Sequence, residues 1–185
     1  MKKIFLAVFV ALLCGCSLLN TNSPSDKVKA LLDKYKNQDE SIISQLEETI
    51  SREYTGDFKD RYKDLMINQY KNMEYKITDE AIDKDSAVVS AEVTVYDYGS
   101  AIESSNAYLK EHEDEFLKEN NKEDNTAKKS IDSDKYLDYK LKMMEEVDDR
   151  RTYNIEFYLT KNDNEWVLDD LSSETISKLH GTYME

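Results

Sequence analysis

Residues 87–96 alternate between two sets of side chains, and one of the two sets is entirely apolar. Successive side chains of a β-strand point to opposite faces of a sheet, so a period of two residues places the apolar set on one face. The segment therefore predicts a strand that is buried on one side and needs both neighbouring strands and a covering layer. The apolar set is Ala87, Val89, Ala91, Val93 and Val95.

Two β-hairpins are predicted from patterns of this kind. The first strand is expected to pair with residues 75–78 through a turn at residues 83–85. A second alternating run at residues 153–160 is followed by the polar turn Lys161-Asn162-Asp163-Asn164 and by a returning strand that contains Trp166. Asn and Asp suit the positive φ angles of tight hairpin turns. We interpret Trp166 as a core ring that packs helix on sheet.

Apolar residues at helical spacing precede the first hairpin. They predict a helix capped by Ser25 or Asp26, a second helix over residues 42–50, and a third that begins after residues 55–57 and carries Gln69 on its apolar stripe. Ser and Asp are favoured N-cap residues because their side chains accept hydrogen bonds from the free N–H groups of the first turn.

Helical spacing also separates the two hairpins. A helix is predicted over residues 100–120, a polar loop over residues 120–130, and a further helix over residues 136–147. A final short helix, capped at residues 172–174, is predicted to end at Gly181. The fold class is therefore α+β, with N-terminal helices packed on an antiparallel sheet of two hairpins and a two-helix insertion between the hairpins.

The N-terminus has the pattern of a bacterial lipoprotein signal. Lys2 and Lys3 precede an apolar run at residues 4–13, and Leu13-Cys14-Gly15-Cys16 matches a lipobox. Cys16 follows a small residue, whereas Cys14 follows the bulky Leu13, so we predict cleavage before Cys16 and a diacylglyceryl group on its sulfur. An uncleaved membrane helix or a plain signal peptide are the alternatives, and neither explains the lipobox.

This interpretation divides the chain into a signal peptide at residues 1–15, a lipidated cysteine with a flexible tether at residues 16–25, and a single domain at residues 26–185. The formal net charge is −14, and loss of Lys2 and Lys3 brings it to −16. Nucleic acid and anionic lipid headgroups would repel such a body, so no nucleic-acid partner is predicted. The predicted partner is the membrane, through the lipid on Cys16.

No catalytic, cofactor-binding or metal-binding residue is predicted. The two histidines, His112 and His180, lack a visible nucleophile or metal-ligand partner and are interpreted as a packed ring and a helix C-terminal residue. Residues 83–85 and 132–134 begin like calcium loops but lack the glycine and glutamate that such loops require. With 4 glycines the chain has no phosphate-binding loop.

The lipobox, the strand at residues 91–95, the hairpin residues 164–168 and the ending at residues 172–181 resemble small uncharacterised lipoproteins of Gram-positive bacteria. The domain of those proteins is NTF2-like (cystatin-like). The resemblance implies an extracytoplasmic, lipid-anchored domain with a curved sheet, and it supplies no catalytic residues. The predicted helices between residues 99 and 149 depart from the usual NTF2-like pattern, where more sheet is expected.

Three functions follow as hypotheses. The first is a non-enzymatic binding domain for a small apolar ligand or an envelope protein. The second is a structural or interaction lipoprotein that uses the helices of residues 100–149, which would require an exposed apolar stripe there. The third is an isomerase-like enzyme, which would require a buried carboxylate or a buried histidine–carboxylate pair in a pocket. The sequence leaves the ligand and the oligomeric state open.

Overall fold

The computed structural model describes residues 22–118 and 130–185. Within these ranges the chain is α+β, as predicted, with two hairpins and two helices inserted between them. A short 3-10 helix, Glu113–Phe116, lies between the inserted helices. The elements are α1 (Pro24–Lys36), α2 (Glu40–Glu53), α3 (Asp57–Asn72), β1 (Glu74–Asp83), β2 (Ser86–Tyr96), α4 (Tyr98–Glu111), α5 (Ser133–Glu145), β3 (Arg150–Asn162), β4 (Glu165–Leu168) and α6 (Ser173–His180).

The four strands form one antiparallel sheet in the order β1-β2-β3-β4. The central pair, β2 and β3, joins the two hairpins in an unbroken register from Ser86 opposite Thr160 to Tyr96 opposite Arg150. Burial alternates along both strands, as the period of two predicts. Asp163 and Asn164 both have positive φ, which closes the second hairpin in the tight turn that the sequence indicated.

Helices cover only the apolar face of the sheet, and the core lies between them. Helix α1 crosses this face from β1, where the Ser25 amide donates to the Glu80 carboxylate at 2.7 Å, toward β4. Helices α3 and α6 pack beside it on β2. Trp166 is 8% exposed, which confirms the predicted core ring. Other buried core residues are Val28, Leu32, Met66, Tyr70, Val89, Val93, Phe157, Leu159 and Leu179.

The predicted start of the first helix is wrong by two residues. Ser23, rather than Ser25 or Asp26, is the N-cap, and it forms a capping box with Asp26. Pro24 is then the first helical residue, a position where its fixed φ fits and its missing N–H costs nothing. The helix therefore takes in Pro24 and Ser25, the last residues of the predicted tether.

The predicted helix over residues 100–120 is also too long. Helix α4 ends at Glu111, the chain continues as the 3-10 helix, and Leu117 then pairs with Ile131 in an isolated bridge. Phe116 is 3% exposed and packs edge-on against Tyr136 of α5, a contact that a straight helix would not make. Most of the predicted loop at residues 120–130 lies outside the described residues, as does Cys16.

Candidate functional site

The strongest candidate site is a groove between α1, α2 and the connection from β4 to α6. It encloses about 460 Å³, within the usual range for small-molecule sites. Six of its eleven lining residues are apolar, and the other five are polar or charged: Lys34, Ser41, Gln45, Asp169 and Asp170. We call it the helical groove. The apolar wall residues are Leu31, Tyr35, Ile42, Leu168, Leu171 and Ile176.

Local sequence sets the geometry of the groove. Leu31 and Tyr35 are one helical turn apart on α1, so they lie on the same face. Gln38 adopts a φ of 54°, which reverses the chain after α1, and the Asp39 carboxylate caps α2 by accepting from the Ser41 amide at 3.0 Å. This tight connection places Ile42 of α2 beside Tyr35 of α1 in the groove wall.

The groove continues inward into a smaller cavity of about 90 Å³, which shares Tyr35 and Ile42 with it. Tyr70 of α3 and His180 of α6 line this inner end. The Tyr70 hydroxyl lies 2.9 Å from His180 Nε2, and the Tyr35 ring packs edge-on against the Tyr70 ring with centroids 5.1 Å apart. The inner end therefore presents a hydrogen-bonded pair to a small space that is also lined by apolar side chains and by Gln45 and Thr49.

Burial keeps this pair neutral. Desolvation lowers the pKa of His180 to about 4, and burial raises the pKa of the Tyr70 phenol. At neutral pH both groups are uncharged, and the tautomer of His180 decides whether the phenol donates to Nε2 or the Nε2–H donates to the phenol oxygen. Such a pair offers hydrogen bonds without charge, so it suits a hydroxyl or carbonyl group better than an ion.

Gln69 holds His180 in place. Its amide nitrogen donates to the carbonyl oxygens of Tyr96 at 3.1 Å and of His180 at 3.0 Å, and its amide oxygen accepts from the Tyr96 N–H at 2.8 Å. Gln69 is fully buried. Gln69 lies on the apolar stripe of α3, and a polar residue among apolar ones is the sequence signal for a buried network.

Gly181 completes the same arrangement. Its φ of +69° ends α6 in the left-handed conformation, as the predicted helix end requires. A Cβ at this position would lie 2.1 Å from both the Gln69 amide nitrogen and the Tyr96 carbonyl oxygen. Only glycine therefore lets the end of α6 approach β2 closely enough for Gln69 to bridge them.

The other sequence candidates lie elsewhere. His112 caps the end of α4, stacks on Tyr108 with ring centroids 4.1 Å apart, and remains half exposed, as a packed surface ring should. Residues 83–85 form the first hairpin turn, and Asp132 caps α5 by accepting from two backbone amides. Across residues 22–118 and 130–185, no group of three or more His, Cys, Asp or Glu residues is placed to hold a metal ion.

Two further observations concern the enzyme hypothesis and the possibility of a membrane-spanning helix. In the described part of the chain, the buried polar side chains are Gln69 and Ser105, so the buried carboxylate that the enzyme hypothesis requires is not present there. None of the helices in those same ranges has the length and apolar character needed to cross a membrane.

No family model matches the chain, and no curated protein matches it at a significant level. Among solved structures, it is similar to a putative lipoprotein (ycdA) from Bacillus subtilis, with 16% sequence identity and a TM-score of 0.39. The similarity covers 86% of this chain and 47% of that chain, so this chain spans about half the length of its structural neighbour. A TM-score of 0.39 carries no argument about function or ancestry.

Proposed function

We propose that this protein is a lipid-anchored, extracytoplasmic binding domain without catalytic activity, and that the helical groove holds a small, mainly apolar ligand. The observation that carries the proposal is the combination of apolar walls with the neutral Tyr70–His180 pair at the inner end. Sites for small molecules typically combine an apolar lining with a few placed polar groups. The ligand is a molecule with an apolar body and one uncharged polar group.

The exposure of apolar side chains favours the groove over the alternative contact surface. Ile176 in the groove wall is 37% exposed, which is unusual for a large aliphatic residue beside a core. The interaction hypothesis needs an exposed apolar stripe within residues 100–149. Among the described residues, the exposed large apolar side chains all lie outside that stretch, and they are Ile82, Tyr158, Val167, Ile176 and Met184.

The lipid anchor is inferred from the sequence. A diacylglyceryl group on Cys16 supplies two acyl chains, the number that stable membrane attachment needs. From Cys16 to the cap at Ser23 the chain can span at most roughly 25 Å, at about 3.5 Å per residue. The domain would therefore stay close to the membrane, while its negative charge opposes contact with anionic headgroups.

We also propose that the domain is NTF2-like (cystatin-like), on a Gram-positive cell membrane. Helix α1 crosses the apolar face of an antiparallel sheet, which supports this assignment. The two inserted helices α4 and α5 set the chain apart from the usual pattern of that fold.

Binding is tested with 1-hexanol as the probe, using the full chain in lipid nanodiscs with ¹³C-labelled isoleucine methyl groups. The proposal predicts saturable shifts of the Ile42 and Ile176 methyl signals and weaker binding of hexanoate, because the inner end carries no charge to pair with a carboxylate. Empty nanodiscs measure the partition of the probe into lipid.

The variant Ile176→Asp should weaken 1-hexanol binding at least tenfold, because it places a charge in the apolar wall. Ile82→Asp is the matched control, since Ile82 is an exposed isoleucine at 54% that does not line the groove. Equal loss in both variants, or shifts that never saturate, would refute the groove as the binding site.

A further inference from the structure

Strand β3 is much longer than the strand that follows it in the sheet. On one side β3 pairs with β2 from Arg150 to Thr160, whereas on the other side β4 covers it only from Leu159 to Asn162. The edge of β3 that faces away from β2 is therefore left uncovered over residues 150–157. A strand edge with free N–H and C=O groups can pair with another extended chain.

The register identifies which backbone groups face this edge. The Lys161 amide donates to the Asp85 carbonyl on the β2 side, while the Tyr158 carbonyl accepts from the Asp169 amide on the β4 side. Hydrogen-bonding directions alternate along an antiparallel strand, so even-numbered residues of β3 point toward the uncovered edge. Asn154 and Glu156 thus direct their N–H and C=O groups outward, beyond Leu159, where the pairing with β4 ends.

A cleft of about 550 Å³ begins at this edge, where Asn154 and Glu156 of β3 and Lys178 of α6 line it. It continues over the exposed face of the sheet to Asp79 of β1 and Ser90 of β2. One residue of an extended strand occupies roughly 160 Å³, given a rise of about 3.3 Å, a strand spacing of about 4.8 Å and a depth of about 10 Å. The whole cleft therefore has the volume of roughly three residues of an extended chain, and the part at the β3 edge holds the backbone of the added strand.

The charge of the cleft selects what can enter. The carboxylates of Asp79, Glu156 and Glu174 line it, and its cation, Lys178, is already paired with Glu174 at 2.6 Å. Tyr158 adds a ring that is 53% exposed. Basic side chains complement this lining, and acidic ones are repelled.

We propose that the uncovered edge of β3 binds an extended, basic segment of a partner protein as a fifth strand, in the cleft between β3 and α6. The backbone of Asn154 and Glu156 supplies up to four main-chain hydrogen bonds, and the carboxylates of the cleft select lysine or arginine. A second copy of this chain is the less suitable occupant, because each copy carries a formal charge of −14. The site is separate from the helical groove, which lies against other residues of α6.

Amide hydrogen exchange on the full chain in nanodiscs tests the free edge first. The amides of Asn154 and Glu156 should exchange rapidly, while those of Ile155 and Phe157, which point to β2, should be protected. Slow exchange at Asn154 and Glu156 in the free protein would overturn the proposal, since the edge would then be covered.

The second step adds the peptide acetyl-Lys-Val-Lys-Val-Lys-amide. Saturation should slow exchange at Asn154 and Glu156 at least tenfold. An analogue with alternate N-methylated amides, which cannot pair through its backbone, and the acidic peptide acetyl-Glu-Val-Glu-Val-Glu-amide should have no such effect. Equal effects of all three peptides would contradict strand pairing.

The variant Asn154→Pro removes an edge-facing N–H and leaves the pairing with β2 intact, a substitution that edge strands tolerate. It should weaken binding of the lysine peptide at least tenfold, while Asn154→Ala should bind as the natural chain does. Glu156→Lys tests the charge requirement without altering the backbone and should also weaken binding. A dimer that Asn154→Pro dissociates in sedimentation experiments would overturn the basic partner in favour of a second copy.

Discussion

At the scale of single residues, a few side chains far apart in sequence build the inner end of the groove. Tyr70 and His180 are 110 positions apart, and Gln69 links both the last turn of α6 and the end of β2. Sequence patterns report local periodicity, so they placed Gln69 and His180 on their helices without indicating that these two residues meet each other and Tyr70. The meeting depends on Gly181, where a side chain would collide with Gln69.

Gly181→Ala should lower the free energy of unfolding by more than the backbone cost of a left-handed residue, which is about 1–2 kcal/mol. The added Cβ would also displace Gln69 from Tyr96. Urea unfolding measures the loss, and a loss of no more than about 2 kcal/mol, the backbone cost alone, would show that the close approach at Gly181 is unimportant.

His180 makes stability depend on pH. Burial lowers its pKa from 6.5 to about 4, so between these values the unfolded chain binds a proton that the folded chain does not. The contribution of the neutral His180 ring to the free energy of unfolding is complete above pH 6.5 and is lost as the pH falls toward 4. The loss is at most about 3 kcal/mol.

Urea unfolding between pH 7.5 and 4.5 should show this loss in the natural chain, and His180→Asn should flatten it. The burial argument fails if His180→Asn loses stability between pH 7.5 and 4.5 as steeply as the natural chain does.

At the scale of elements, alternation and helical spacing predicted the strands, the hairpin turns and the number of helices. One boundary error lies at the local capping box that starts α1, and the other lies where a tertiary contact follows the end of α4. Helix α4 ends at Glu111, and the chain then turns so that Phe116 packs on α5. Residues 108–116 contain no glycine or proline, so the sequence carries no strong signal for the end of the helix. The helical groove could not be predicted from the sequence either, because its shape depends on the positive φ of Gln38.

The inserted helix α5 is tied to α3 by a bidentate ion pair. Arg61 donates to both carboxylate oxygens of Glu145, at 2.7 and 3.0 Å, and to Asp138 at 2.7 Å. Arg61→Ala should therefore lower the free energy of unfolding by about 1 kcal/mol, the upper end for surface pairs with good geometry.

Arg52→Ala is the control for this prediction, because Arg52 pairs only with Glu48 one turn away on the exposed side of α2. It should cost less than about 0.5 kcal/mol. A double-mutant cycle between Arg61 and Glu145 measures the coupling, and a coupling energy near zero would show that this ion pair does not hold α5.

At the scale of the whole molecule, a lipid anchor at Cys16, which is inferred from the sequence, holds the domain that contains the helical groove. Cys16→Ala should abolish incorporation of alkyne-labelled palmitate and move the protein from the detergent phase to the aqueous phase. Cys14→Ala should retain the label, because Cys14 is removed with the signal peptide. Label that persists in Cys16→Ala would contradict the predicted cleavage site.

The central claim is that a small, mainly apolar ligand enters the helical groove with its polar group toward Tyr70 and His180. Intermolecular nuclear Overhauser effects from bound 1-hexanol test it most directly, because they locate each end of the probe. The account predicts contacts from the methyl end to Ile42 and Ile176 and a shift of the His180 ring ¹⁵N signals. Contacts to Ile82 or Tyr158 instead, with the His180 signals unmoved, would contradict it.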